Sequence, residues 1–310
     1  ALNKLLNSLN FSENGTIMIP YGRQNISESD IKAVVDILKS DSLTQGPTVP
    51  KFEASIANYC HANFAVAVNS ATSALHIACL ALKVEPNDIV WTSPISFVAS
   101  SNCALYCGAD VDFVDIDPST YNLSAENLKK KLQHTKENNL PLPKVVIPVH
   151  LCGQPCEMDK IHALGQEYGF AIIEDASHAI GGKYKGNPVG NCEYSDITVF
   201  SFHPVKIVTT AEGGVVTTNS KELAAKLDLL RSHGITRDSS LMENDSHGGW
   251  YYEQVDLGFN YRMTEMQAAL GVSQMSRLHD FVAKRNALAT RYDELLKGLP
   301  LITPYQIEDS

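Results

Sequence analysis

Short apolar runs alternate along this chain with stretches whose apolar positions recur at helical spacing. Phe64-Ala65-Val66-Ala67-Val68 reads as a buried strand, and Thr72 to Leu82 as the helix that follows it. The same alternation continues downstream. Asp88 to Thr92 is a strand, Phe97 to Tyr106 a helix and Val111 to Val114 a strand; Ser124 to Leu132 is a helix capped by Ser124. Val145 to Val149 is a strand, Met158 to Tyr168 a helix and Ala171 to Ile173 a strand. Ahead of them, Ser27 and Asp30 have capping-box spacing, and Ile31, Val34, Val35 and Leu38 share one face of a helix over Ile31 to Lys39. Gln45-Gly46-Pro47 then marks a loop.

After residue 190 the pattern changes. Ile197 to Phe202 and Gly214 to Thr218 are strand-like with no helix between them, which predicts an antiparallel excursion. Lys221 to Arg231 is a helix, residues 232 to 259 are loop-like, and Thr264 to Leu299 is helical with a break near Gly271 to Ser273. Strand–helix alternation with near-continuous apolar strands predicts an α/β fold, a mostly parallel sheet covered on both faces. No internal repeat or low-complexity segment interrupts it.

Composition narrows the function. The chain has 310 residues, which suggests two domains or one large α/β unit. With 25 basic against 35 acidic side chains its net charge is −10, which argues against a nucleic-acid backbone as partner. A local basic pocket for one small phosphate is still allowed. No apolar run approaches the ~20 residues of a membrane span, and the start, ALNKLLNSLNFSENG, lacks an apolar leader core. A cytoplasmic protein is expected, so Asn-x-Ser/Thr triplets such as those at Asn14, Asn25, Asn122 and Asn244 read as chance. The seven cysteines read as free thiols, and their spacing does not match a zinc site.

In an open α/β sheet, ligands bind outside the carboxyl ends of the strands, so the residues just after each strand carry the chemistry. Three places stand out. Asn69-Ser70-Ala71-Thr72-Ser73-Ala74 puts small residues at a helix start, where unpaired amides favour a phosphate. Ser70 or Thr72 could equally serve only as the cap. Neither GxGxxG nor GxxxxGK[ST] is present. Asp175 emerges from an apolar strand and is poorly solvated unless it meets a cation; it could also cap the next turn. Glu174 points to the opposite side of the strand and reads as structural. Lys206 sits among apolar neighbours in His203-Pro204-Val205-Lys206-Ile207-Val208, where desolvation lowers an ammonium pKa. A neutral amine attacks aldehydes and ketones, although a lone lysine is more commonly a solvated surface charge. A phosphorylated pyridine aldehyde satisfies all three places. Its phosphate docks at the helix start, Lys206 forms the Schiff base, and Asp175 pairs with the protonated ring nitrogen.

These residues stand in recognisable strings. IPYGRQNISESDI, LTQGPTVPKFE, AVNSATSALHIACLAL, SPISFVASSNCALYCGADVDFVDIDP, HLCGQP, EDASHAIGG, FSFHPVKIVTTAEGG and LGFNYRMTEMQAALG run in order from about residue 19 to 272. The chain resembles the sugar aminotransferases of the DegT/DnrJ/EryC1/StrS family, and within it the branch that makes the pseudaminic-acid precursor. The resemblance implies the fold-type-I transferase architecture that uses pyridoxal 5'-phosphate (PLP), with a seven-stranded, mostly parallel sheet sandwiched by helices. It implies a PLP-binding domain over residues 1–260, and connecting helices over 261–310 that begin a small C-terminal domain. Family members continue past that point, so the small domain is expected to be truncated.

Carried over by position, the resemblance makes Lys206 the Schiff-base lysine and Asp175 the partner of the pyridine nitrogen. Ala71, Thr72 and Ser201 would hold the phosphate, and Phe97 would stack on the ring. His178 stands where relatives often have Gln, near the ring hydroxyl. Asn260, or Arg262 two residues on, would reach the phosphate of the neighbouring subunit's cofactor, which implies a homodimer with shared active sites. The implied reaction aminates a UDP-linked 4-keto-6-deoxy amino sugar, with glutamate as donor and the pyridoxamine form (PMP) during turnover. Some family members are PLP/PMP-dependent sugar dehydratases with histidine in place of the lysine, and a catalytically impaired cofactor-binding relative is a further alternative. The presence of Lys206 favours transamination.

Overall fold

Seven strands form one sheet, and its strand order decides which loops meet. The computed structural model describes residues 10–11, 17–18 and 22–307. Asn14, the rest of the segment read above for a leader, and positions 19–21 of the first matching string lie outside them, as do residues 308–310. The strands are β1 (Phe64–Val68), β2 (Ile89–Thr92), β3 (Asp110–Phe113), β4 (Val145–Ile147), β5 (Ala171–Asp175), β6 (Ile197–Ser201) and β7 (Gly214–Thr218). Their order across the sheet is β1-β7-β6-β5-β4-β2-β3. β7 is antiparallel to both neighbours, as the helix-free connection predicts, and the other pairs run parallel. The carboxyl ends of β1, β2, β4, β5 and β6 therefore open on one edge of the sheet.

The central strands are buried on both faces. Along β7, Val216 joins one core with Val66, Leu75, Ile77 and Leu227, while Val215 joins another with Phe52, Phe200 and Leu278. The two-residue period of a strand produces that division. A third core, built on Trp91, Leu128 and Ile161, lies toward the β3 end. The helices that cover the sheet are α1 (Glu28–Leu38), α2 (Thr48–Cys60), α3 (Ala71–Ala81), α4 (Ala99–Tyr106), α5 (Ala125–Glu137), α6 (Met158–Tyr168), α7 (Lys221–Arg231), α8 (Glu265–Met275) and α9 (Leu278–Leu296). The Ser27–Asp30 capping box is formed in both directions, at 2.8 and 3.3 Å.

Several boundaries differ from the sequence reading. Helix α2 is absent from the sequence reading, which takes Gln45-Gly46-Pro47 as a loop and assigns no element between it and Phe64. Proline is tolerated in a first turn, and Val49, Phe52, Ile56 and Cys60 bury one face of this helix. The long C-terminal helix breaks between Met275 and Leu278 rather than at Gly271. Gly271 stays helical because its missing side chain is what packing requires: a Cβ there would stand 2.6 Å from the Phe52 ring. Helix α4 starts at Ala99, leaving Phe97 in the preceding loop, and the 232–259 segment contains a short ladder of Ile235–Thr236 against Glu253–Gln254. All seven cysteines are unbridged. Among the described residues no helix is long and apolar enough to cross a membrane.

Candidate active site

At the open edge of the sheet, β5 ends on Asp175. Its backbone is tied to the next strand segment on both sides: Asp175 N–H donates to Pro148 O at 2.9 Å, and Asp175 O accepts from His150 N–H at 3.0 Å. Asp175 is 4% exposed. Oδ2 accepts the Ser100 hydroxyl at 2.6 Å, and Oδ1 accepts the Ser177 hydroxyl at 2.6 Å and its amide at 3.2 Å. The Ser177 contacts are the turn-capping role allowed by the sequence. The Ser100 contact reaches across from the first turn of α4, which no local motif predicts. A buried carboxylate held by hydroxyls keeps an open demand for a cation.

Lys206 lies in the connection between β6 and β7, where its amide donates to His203 O at 2.9 Å. The side chain is half-buried. Desolvation pushes its pKa below the ordinary lysine value, and the negative charge of Asp175, with a smaller contribution from Cys152, opposes that shift. His178, on the turn after Asp175, is lowered by burial and then by the Lys206 charge, and raised by Asp175. His178 thus feels the charges of both Lys206 and Asp175, and Lys206 feels that of Asp175. The Cys152 amide donates to His178 Nδ1 at 3.2 Å, so in the neutral ring the proton sits on Nε2.

The start of α3 opens on the same edge. Ser70 caps the helix by accepting from Ser73 N–H at 3.1 Å, so the capping reading is correct. Among the described residues, the amides of Ala71 and Thr72 have no hydrogen-bond partner. They add to the positive end of the helix dipole. The register aligns Val68 with Gly214 and Gly214 with Ser201. A Cβ on Gly214 would lie 2.5 Å from Ser70 O, so glycine there is what lets the helix start pack against the strand that pairs with Ser201. Ala71, Thr72 and Ser201 are therefore neighbours in the fold.

Among the described residues, no hydrogen bond or ion pair joins Phe97 or Asn260 to Asp175 or Lys206. Phe97 is 73% exposed, beside the Ser96–Ser100 pair that leads to Asp175. Asn260 is exposed and pairs through its backbone with Ser232, while Arg262 pairs with Val68 and donates to Ser232 Oγ at 3.1 Å. Glu174, on the other face of β5, accepts from His150 Nε2 at 2.7 Å and from Thr198 at 3.2 Å. That is the structural role expected of it. Sequence reasoning missed Ser100, whose function depends on a contact between residues far apart in the chain. Lys206 also lines a cleft of about 180 Å³, and a wider one of about 470 Å³ lined by Arg237, Tyr252 and Arg262 does not include it.

An amine of lowered pKa, a buried carboxylate and a helix N-terminus with free amides together suit PLP. Comparison with known proteins agrees. Residues 24–310 match the DegT/DnrJ/EryC1/StrS aminotransferase family. The UDP-4-amino-4,6-dideoxy-N-acetyl-beta-L-altrosamine transaminase of Campylobacter jejuni is 39% identical over 292 residues, 94% of this chain and 73% of that protein. Helicobacter pylori PseC, an aminotransferase of pseudoaminic acid biosynthesis, superposes with a TM-score of 0.81 at 32% identity, over 92% of this chain and 72% of that one. The PLP-form of a Streptococcus pneumoniae sugar aminotransferase superposes with a TM-score of 0.79 at 30% identity, over 90% and 72% of the two chains.

Proposed function

We propose that this chain, which belongs to the DegT/DnrJ/EryC1/StrS aminotransferase family, aminates a UDP-linked 4-keto-6-deoxy amino sugar with glutamate as donor. The observation that carries this reading is the placement of the half-buried Lys206 near the buried Asp175, with His178 on the turn after it, at the sheet edge where α3 begins. Similarity to a transaminase of UDP-4-amino-4,6-dideoxy-N-acetyl-beta-L-altrosamine supports the UDP sugar, and similarity to Helicobacter pylori PseC supports a role in pseudaminic-acid synthesis.

Bound PLP supplies an electron-withdrawing ring that acidifies the C–H bond next to the reacting nitrogen. Lys206 would hold that group covalently, and its amine, when free, would take up and return a proton at Nζ. Desolvation favours the neutral amine that this work needs. Asp175 would face the ring nitrogen, its two oxygens oriented by Ser100 and Ser177. The neutral His178 ring, with its proton on Nε2, would donate to the ring hydroxyl. Ala71, Thr72 and Ser201 would seat the phosphate.

The exposed Phe97 would cover one face of the ring. The exposed Asn260, with Arg262 as the alternative, would reach the phosphate held by a second copy, which makes the working unit a homodimer with shared sites. Residues 1–260 carry this proposed centre, and 261–310 supply the helices that flank it.

The reaction itself is the test. With PLP, glutamate and a UDP-4-keto sugar, the chain should release 2-oxoglutarate and amino sugar in equal amounts, with ping-pong kinetics. Loss of a hydroxyl from the sugar without 2-oxoglutarate would instead assign a dehydratase.

A further inference from the structure

Lys206 has a second set of neighbours. The smaller cleft that it lines is walled by Arg23, Asn25, Thr209, Lys284 and Arg285 as well, and no acidic residue lines it. That is unusual for a chain of net charge −10. Among the described residues, Arg23, Lys284 and Arg285 enter no ion pair. Asp30, the nearby acid, is spent: it is fully buried and accepts from Ser273 at 2.6 Å, Gln274 at 2.8 Å and Arg277 at 2.5 Å.

The cleft is also built on fixed parts. Arg277 and Gln274 bind Asn25 at its side-chain oxygen (2.7 Å) and its backbone oxygen (2.9 Å), pinning the segment that carries Arg23 to the α8–α9 junction. Helix α9 docks its first turns on the loop that follows Asp175. Gly181 in that loop approaches so closely that a Cβ would stand 2.6 Å from Val282. Lys284 and Arg285 follow within the next turn. Three exposed cations thereby line one cleft with the reactive lysine.

We propose that this cleft is the subsite for the distal carboxylate of the amino donor, and that Arg23, Lys284 and Arg285 select a dicarboxylic amino acid over a neutral one. The inference rests on the aminotransferase reading above. Position favours a carboxylate over the diphosphate of the sugar nucleotide. In glutamate a short alkyl chain separates the distal carboxylate from the carbon bearing the amine, so the anion lies close to Lys206 when the amine reacts. In a UDP-4-keto sugar the diphosphate is attached at C1, across the ring from the reacting C4, and a cleft that touches Lys206 is too near the reacting carbon for it. Guanidinium and ammonium groups left unpaired in a cleft provide charge-assisted hydrogen bonds to such a carboxylate.

The test uses the full chain loaded with PLP, together with Arg23→Gln and the double variant Lys284→Gln/Arg285→Gln. Calorimetry with glutarate, a dicarboxylate that cannot react, should show affinity weakened about tenfold or more in each variant, with UDP affinity unchanged. The kcat/KM preference for glutamate over alanine should fall by a similar factor, while pyridoxyl labelling of Lys206 is retained. Glutarate affinity that is unchanged, or UDP affinity that falls as much as that of glutarate, would overturn the subsite. No binding of glutarate to the unsubstituted chain would do the same. Failure of the unsubstituted chain to label at Lys206 would overturn the aminotransferase reading instead.

Discussion

Ser100 Oγ lies 2.6 Å from Asp175 Oδ2 and joins the first turn of α4 to the end of β5. It is one of two hydroxyls that fix a carboxylate with almost no solvent around it. Ser100→Ala removes one of them and leaves the carboxylate free to turn. A lost hydrogen bond to a charged group is worth roughly 1.5–3 kcal/mol, so PLP affinity should weaken by about tenfold or more. Fluorescence titration of the variant with PLP checks this, and Ser177→Ala should behave alike.

The pH dependence of Lys206 has a defined sign. Its pKa is lowered, so the free amine already dominates at pH values below the ordinary lysine value of 10.5. The rate at which the PLP-free chain captures PLP should rise with pH and level off below that value. Asp175 holds the lysine pKa up, so Asp175→Asn should move the midpoint further down. Stopped-flow capture rates across a pH series measure both. A midpoint that rises in Asp175→Asn would contradict the coupling.

Gly214→Ala tests the seat at the start of α3. The added Cβ would meet Ser70 O at 2.5 Å and Ala71 N at 2.7 Å, both backbone atoms that cannot swing aside. Overpacking of this kind costs about 1–3 kcal/mol. The variant should melt at lower temperature, and its affinity for PLP should fall more than that of Ser100→Ala. Calorimetric melting with and without PLP separates the two effects.

On the opposite face of β5, Glu174 is a stability element. Burial alone would raise its pKa, but the hydrogen bonds from His150, Ser195 and Thr198 bring it below the ordinary 4.5. The folded value is depressed, so the stabilisation is fully present above about pH 4.5 and is lost as the pH falls below it. Glu174→Ala leaves the buried His150 without its acceptor and should cost roughly 3–5 kcal/mol in urea unfolding at neutral pH. Glu174→Gln should flatten the acid limb of the stability curve.

The sheet and the positions of Asp175, Lys206 and the α3 start were legible because each depends on a local pattern, an apolar strand followed by a residue that the apolar run does not explain. Helix α2 is not legible behind the Gly46-Pro47 loop signal, although Val49, Phe52, Ile56 and Cys60 carry helical spacing. Gly271 misled in the opposite direction, since its glycine serves a close approach of Phe52 and not a break. Ser100 and the His150–Glu174 bond were not legible, because each joins elements whose proximity is decided by strand order. Only the order β6-β5-β4-β2 brings α4 over the end of β5.

The central claim is that Lys206 is the residue that carries the cofactor opposite Asp175. Borohydride reduction of the PLP-loaded chain, followed by peptide mapping, tests it most directly. The account predicts one pyridoxyl group per chain, on Lys206, and its loss in Lys206→Ala. A label on another lysine such as Lys183 or Lys284, or no retained label, would contradict it.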